Sequence, residues 1–339
     1  MKKYLTQIVI LILLVSTIVV AQFVPFGTSR FFDMLKFGEK STLRELRQFS
    51  LNDTASVDRV FMVSKENNIA DLTRGENNRW MINGEYEANQ YNVNLLLKTL
   101  HRMRVKNPVA RSAEENVLKR LSTKSIKVEV YDGDGILKTY YIGGVTQDQT
   151  GTYAMLKGSK SPFVVEIPGF RGYISSRFHV NELTWRSTRI FTFSEEVLNT
   201  IDVQIGGKPD QSYKIEVHNR GEYDLYDANE RKAKAFDTLM VRRLVKEFNH
   251  KFFSAFVAFK TKSQIDSVYN SPMFYKYNVA INDGRNLELS LHRVNNYVPK
   301  DETEVDVLNG IINQKDWVSL QTHIFAPMFM ELNDFKPRF

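Results

Sequence analysis

The residues able to carry chemistry in this chain are scattered. Six histidines, His101, His179, His218, His250, His292 and His323, include no HxH or HExxH pair, and there is no cysteine. Zinc would therefore need imidazoles and carboxylates brought together from distant segments. Thiolate nucleophiles, disulfides and a lipidated N-terminal cysteine are excluded. His101 and His250 stand near the ends of two expected helices, where attraction to the C-terminal dipole explains them without a catalytic role. Asp132-Gly133-Asp134-Gly135 has two carboxylates two apart, as at the start of a calcium loop, but lacks the later ligands and the closing glutamate. Its place between two strand-like runs predicts a hairpin turn. GxSxG is absent, neither Ser159 nor Ser161 has a nearby histidine in a recognisable arrangement, and no acidic pair stands out for acid–base work. No catalytic residue, metal ligand or cofactor is expected.

The stretch YIGGVTQDQTGTYAMLKG, Tyr141 to Gly158, is the most glycine-punctuated part of the chain. Gly143 and Gly144 follow a strand-like run but precede no helix, so the strand–turn–helix setting of a phosphate loop is missing. TQDQTG is expected to be a hairpin connection, and Gln147, Asp148, Gln149 and Lys157 are candidate partner-contact residues. Trp80, Tyr140, Tyr141 and Tyr153 are candidate aromatics for a groove between modules that would take a glycan or peptide. Cross-strand packing is the competing explanation for them.

These residues must be positioned by strands and helices whose order repeats. DRVFMVS, NIADLTRG and NRWMING read as three antiparallel strands. A helix follows, with Val93, Leu96, Leu97, Leu100 and Met103 on one face. SAEENVLKRLSTK is a second helix, with Ser112 and Glu115 as a capping box. The strands SIKVEVYD, ILKTYYIGG, GTYAMLKG and PFVVEIPG follow, and FRGYISSRF is a closing helical turn. Later, TIDVQIGG, QSYKIEVHN and EYDLYDA precede a helix carrying Met240, Val241, Leu244, Val245 and Phe248, and then a hairpin across Asn282-Asp283-Gly284. Matching Leu96 to Met240 gives an offset of 144 residues, and the two hairpins match at about 149. The expected fold is α+β: two repeated modules of antiparallel sheet packed with an amphipathic helix, over 56–180 and 190–335, joined around NELTWRSTR.

The whole composition suits folded modules, with 42% apolar and 12% aromatic residues over 339 positions. The formal charge of +7 is diffuse, with no run of five basic residues, so nucleic acid is not an expected partner. Residues 1–27 begin with Lys2 and Lys3 and stay largely apolar from Leu5 to Val24. Twenty residues rising about 1.5 Å each match a hydrocarbon core of roughly 30 Å. An inner-membrane, single-pass anchor is expected, with residues after about 27 in the periplasm. The alternative is a signal peptide cleaved near Ala21. Residues 28–55 would form a linker or stalk.

YYIGGVTQDQTGTYAMLKGSKSPFVVEIPGF, RWMINGEYEA and ENVLKRL resemble a bacterial family known as domain of unknown function 4340, particularly Bacteroidetes-type membrane-anchored members. The likeness runs from about Asp53 onward and is clearest in the first module. It implies a single-pass or exported envelope protein associated with an ABC-type exporter or gliding-motility machinery, and it brings no functional residues with it. The expected function is a non-catalytic binding or scaffolding component of such a complex, with a membrane protein of the exporter as partner. A cell-wall glycan or peptide binding module is the alternative, and an envelope hydrolase ranks below it. No GxxxxGK[ST] is present, so energy would come from another subunit.

Overall fold

A computed structural model describes residues 49–218, 221–258, 261–293 and 306–337. The expected anchor over 1–27 and residues 28–48 of the expected linker lie outside these. Among the described residues no helix is long and apolar enough to cross a membrane. The chain divides into two units, one of residues 49–85 and 90–181, the other of residues 86–89 and 182–337. The chain thus leaves the first unit after Glu85, contributes four residues to the second, and returns at Gln90.

The first unit is an antiparallel sheet. Its strands are β1 (Arg59–Val63), β2 (Ile69–Arg74), β3 (Trp80–Ile82), β4 (Arg104–Pro108), β5 (Ile126–Asp132), β6 (Gly135–Val145), β7 (Thr152–Leu156) and β8 (Phe163–Glu166). They lie in the order β3-β2-β1-β5-β6-β7-β8-β4. Alternation decides which side chains go inward: Val60 and Met62 of β1 and Val128 and Val130 of β5 are all buried. The helix α1 (Gln90–Arg102) turns Val93, Leu96, Leu97 and Leu100 into this core, as their three- and four-residue spacing requires. Its first residue is fixed to β3, because the Gln90 side chain accepts from Trp80 N at 3.1 Å and donates to Trp80 O at 3.0 Å.

A second helix, α2 (Arg111–Lys124), lies over β6 and buries Val117 and Leu121. A Cβ on Gly143 would stand 2.6 Å from Leu121 Cδ2, so the absence of a side chain there lets the helix approach the strand. The capping box expected at Ser112 and Glu115 does not form. The helix starts at Arg111 with Ala110 as its cap residue and no side-chain cap. β4 pairs with β8 as far as Pro108, and Val109 N donates to Pro162 O at 3.4 Å, so the chain turns into the helix before Ser112 is reached.

The last residues of the expected linker are core residues. Phe49 and Leu51 are buried, and the Phe49 ring meets Phe163 edge-on at 5.6 Å. Tyr140 Oη donates to Phe49 O at 2.8 Å, Lys138 Nζ to Ser50 O at 2.5 Å, and Leu51 N to Leu100 O at 3.0 Å. The first folded unit therefore begins by Phe49 rather than at residue 56.

The second unit has β9 (Leu198–Ile205), β10 (Tyr213–Val217), β11 (Tyr223–Asp227), β12 (Ala255–Phe256), β13 (Met273–Ile281), β14 (Asn286–Arg293), β15 (Val307–Ile312) and β16 (Asp316–Gln321). Their order is β11-β10-β9-β13-β14-β15-β16-β12. Helix α3 (Thr238–Glu247) buries Val241, Leu244 and Val245. Asp237 caps it, accepting from Leu239 N at 3.0 Å and Met240 N at 3.1 Å. A further helix, α4 (Lys262–Tyr269), starts at a capping box of Thr261 and Gln264.

Both sheets follow one strand order, and the pairing agrees residue by residue. Val60 is flanked by Leu72 and Val130, and Ile201 by Ile215 and Val279. Ala154 is flanked by Ile142 and Phe163, and Gly310 by Leu291 and Val318. The offset between matching positions grows along the chain, from 141 at Val60 and Ile201 to 149 at Val130 and Val279 and 156 at Ala154 and Gly310. Loops of unequal length account for the drift.

Candidate functional site

The TQDQTG connection is a closed hydrogen-bonded loop between β6 and β7. Asp148 organises it: Oδ1 accepts from Thr146 Oγ1 at 2.5 Å and Thr150 N at 3.2 Å, and Oδ2 accepts from Thr150 Oγ1 at 2.5 Å. Gly151 N donates to Thr146 Oγ1 at 3.0 Å, and Gln149 takes the left-handed conformation at φ 57°. Lys106 Nζ reaches across to Thr150 O at 3.3 Å. The hydroxyls of Thr146 and Thr150, with the Thr150 amide, hold the Asp148 carboxyl down at about 2. A carboxyl depressed in the fold contributes order that is complete above its ordinary range and is lost as pH falls through the folded value. We therefore expect the Thr150 and Gly151 amides to stay protected at pH 4 and to lose protection between about pH 4 and pH 2. An NMR pH titration of Asp148→Asn should show no such transition.

The four candidate contact residues do not form one patch. Asp148 spends its oxygens inside the loop, while Gln147 and Gln149 point to solvent. Lys157 follows the other end of β7, five strand residues away, or roughly 17 Å. The four groove aromatics separate as well. Trp80 and Tyr140 are buried in the core, and burial raises the Tyr140 hydroxyl well above its ordinary range. Tyr140 and Tyr141 are consecutive in β6, so they face opposite sides of the sheet. Tyr141 and Tyr153 are half-buried. Trp80 and Tyr140 thus serve packing and offer no ring face to a glycan.

Lys157 instead lines a cleft of about 630 Å³ in the first unit, formed by Ile136–Thr139 and Leu156–Ser159. Ile136 and Leu137 are 52% and 39% exposed there, large apolar side chains kept at the surface beside two lysines. Half-buried Lys138 has its ammonium pKa lowered by burial, and its Nζ is the group that holds Ser50 O. The cleft therefore adjoins the place where the N-terminal chain enters the unit. Its chemistry suits an apolar side chain flanked by a carboxylate.

Two polar groupings were not anticipated from the sequence. Glu216, His218 and Asp224 present ligand atoms within 4.8 Å of one another on the β10–β11 hairpin. Glu216 and Asp224 are cross-strand partners, and His218 is two residues from Glu216, a spacing that puts both on one face. The carboxylates already hold cations: Lys214 Nζ is 2.9 Å from Glu216, and Lys232 Nζ is 2.7 Å from Asp224. The two strands are joined across the grouping by His218 Nε2, 3.0 Å from Asp224 Oδ2, and by Tyr226 Oη, which donates to Glu216 Oε2 at 2.9 Å, so its role is structural. The second grouping is Ser271 and His292, whose Oγ and Nδ1 are 3.3 Å apart. Ser271 Oγ donates to Val268 O at 2.6 Å, closing the end of α4, and both residues are buried. DGDG and NDG form the hairpin turns expected of them, with Asp134 N on Asp132 Oδ1 and Arg285 N on Asp283 Oδ1, each at 3.0 Å.

No curated protein and no solved structure matches the chain. A family model described as "Domain of unknown function (DUF4340)" matches residues 80–268, more than half of the sequence, from β3 of the first unit to α4 of the second. On that match the chain belongs to the domain of unknown function 4340 family.

Proposed function

We propose that this protein is a membrane-anchored, extracytoplasmic accessory protein that binds rather than transforms its partner. It would serve as a scaffolding component of an ABC-type transport or gliding-motility-related envelope complex. The observation that carries the reading is the cleft at Ile136–Thr139 and Leu156–Ser159, where the exposed apolar side chains of Ile136 and Leu137 stand beside Lys138 and Lys157. It lies beside the Ser50 contact that ties the N-terminal chain to the fold. A tether entering next to a docking surface suits a body that must hold a membrane partner close. The matching strand orders of the two units support descent from one duplicated module, with the second copy retained as a stable platform.

The test is isolation of the intact chain from its own membranes in mild detergent after chemical crosslinking. Co-isolation of one membrane protein in fixed ratio is expected. Recovery of the chain alone, monodisperse and without a membrane partner, would contradict the proposal.

A further inference from the structure

One end of the first unit carries an unpaired basic surface mixed with exposed aromatic rings. Along the outer face of α1, Lys98 and Arg102 follow one another at i, i+4 and are exposed. Against them lies the loop Pro168–Tyr173, turned by Gly169 at φ 80° and Gly172 at φ 127°. Arg102 Nη2 donates to Pro168 O at 3.3 Å, and the Arg177 guanidinium stacks 4.7 Å from the Phe170 ring while donating to Thr99 Oγ1 at 2.8 Å. Arg171 projects from the loop tip. Among the described residues none of these four cations has a carboxylate within ion-pair distance, whereas the neighbouring Lys106 is paired with Glu166. Phe170 and Tyr173 are 41% and 38% exposed beside them.

The N-terminal chain enters the unit at this same end. Leu51 N donates to Leu100 O, and His101 Nδ1 lies 2.8 Å from Leu51 O, in the last turn of α1 next to Arg102. Cations with amphipathic aromatics are the composition of a surface resting at a lipid headgroup layer: the charges attract anionic lipid and the rings enter the interface. The exposed rings favour lipid over a soluble acidic polymer, which would repay the charges alone. The stretch between Gly27 and Phe49 reaches at most roughly 75 Å when extended, so a tether permits this contact without imposing it.

We propose that the loop Pro168–Tyr173 and the outer face of α1 dock the first unit onto an anionic phospholipid surface. The inference rests on the reading that the chain is held at a membrane, and the test separates the two. The protein has no cysteine, so a fluorophore can be placed singly at Tyr173→Cys in the full chain, and in a separate sample at Ile12→Cys. Each is reconstituted into phosphatidylcholine nanodiscs, with or without a third phosphatidylglycerol, containing a nitroxide-labelled lipid as quencher.

Quenching of the Tyr173→Cys probe should be at least about threefold stronger in the anionic discs, and high salt should abolish the difference. The combined variant Lys98→Gln, Arg102→Gln and Arg171→Gln should return it to the zwitterionic level, with its thermal unfolding checked in parallel. Equal quenching in both discs, no quenching, or indifference to the combined variant would overturn the proposal. So would a probe that responds to a soluble anionic polysaccharide but not to the discs. If Ile12→Cys is quenched and Tyr173→Cys is not, anchoring stands and lipid docking falls. If neither is quenched, both fall.

Discussion

Replacing Arg186 by alanine is expected to cost the second unit about 3–5 kcal/mol, because it leaves the carboxylate of a half-buried ion pair without its cation. Arg186 is buried with its guanidinium on Asp316, at 3.1 Å from Nη1 to Oδ1 and 2.6 Å from Nη2 to Oδ2. Its plane lies between two rings, 3.7 Å from the centroid of Tyr86 and 4.3 Å from that of Phe256. A flat, forked cation is needed for both contacts at once, so Arg186→Lys should recover little of the loss.

The same residue helps keep residues 86–89 in the unit. Asn89 N donates to Trp185 O at 2.6 Å and Ser187 N to Glu87 O at 2.8 Å, while Lys315 Nζ donates to Tyr86 Oη at 3.0 Å. At roughly 2–4 °C per kcal/mol for a unit of this size, the melting midpoint should fall by about 6–20 °C. Trp185 and Trp317 fluorescence would report it. Arg186→Met combined with Asp316→Leu should cost less than Arg186→Ala alone, since no unpaired charge remains. A loss under about 1 kcal/mol for Arg186→Ala would mean the pair is solvated rather than structural.

Phe49→Ala is the second substitution with a large expected effect, about 3–5 kcal/mol in the first unit. Phe49 is fully buried against Phe163 and Tyr140, so truncating its ring leaves a cavity in a close-packed core. Phe49→Leu keeps most of the volume and should cost under about 1.5 kcal/mol. Tyr140→Phe removes the hydroxyl that bonds Phe49 O and should cost about 1–2 kcal/mol. Trp80 is the tryptophan of the first unit. In a Trp185→Phe, Trp317→Phe background its emission isolates that unit during urea unfolding. If Phe49→Ala leaves the midpoint unchanged, Phe49–Leu51 is an adhering stalk and not part of the core.

Much of the architecture was legible because it is local. Three- and four-residue spacing announced α1 and α3, period-two alternation announced the central strands, and Asp-Gly pairs marked two hairpins. The repetition of strands, helix and hairpin was visible at offsets near those the registers show. The β15–β16 hairpin carries no clear mark in the sequence, because its turn uses Asn313 and Gln314 in the left-handed region, at φ 49° and 56°, without the glycine that usually marks one. α4 is only eight residues long and buries just Val268, too narrow a stripe to register, although Thr261 and Gln264 carried a capping signature.

The candidate site was less legible, for reasons of pairing across the chain. Between a groove and cross-strand packing, Tyr140 is decided by its acceptor, Phe49 O, which lies 91 positions away. Arg186 and Asp316 are 130 positions apart. Asp148 read as a contact residue because nothing in the order of residues reveals that its two threonine neighbours fold back on it. The cleft arises from the starting end of β6 and the finishing end of β7, which only the antiparallel pairing of Tyr140 with Leu156 brings together.

The proposed function requires a membrane partner in that cleft. Photocrosslinking in cells from Lys157→p-benzoylphenylalanine in the intact chain tests this most directly, with Glu230→p-benzoylphenylalanine in the second unit as the comparison position. A single dominant adduct to a membrane protein is expected from position 157, absent from position 230 and lost when Leu137→Asp places a charge beside Ile136. The same adducts from both positions, or no adduct from 157 in cells where the chain is membrane-bound, would contradict it.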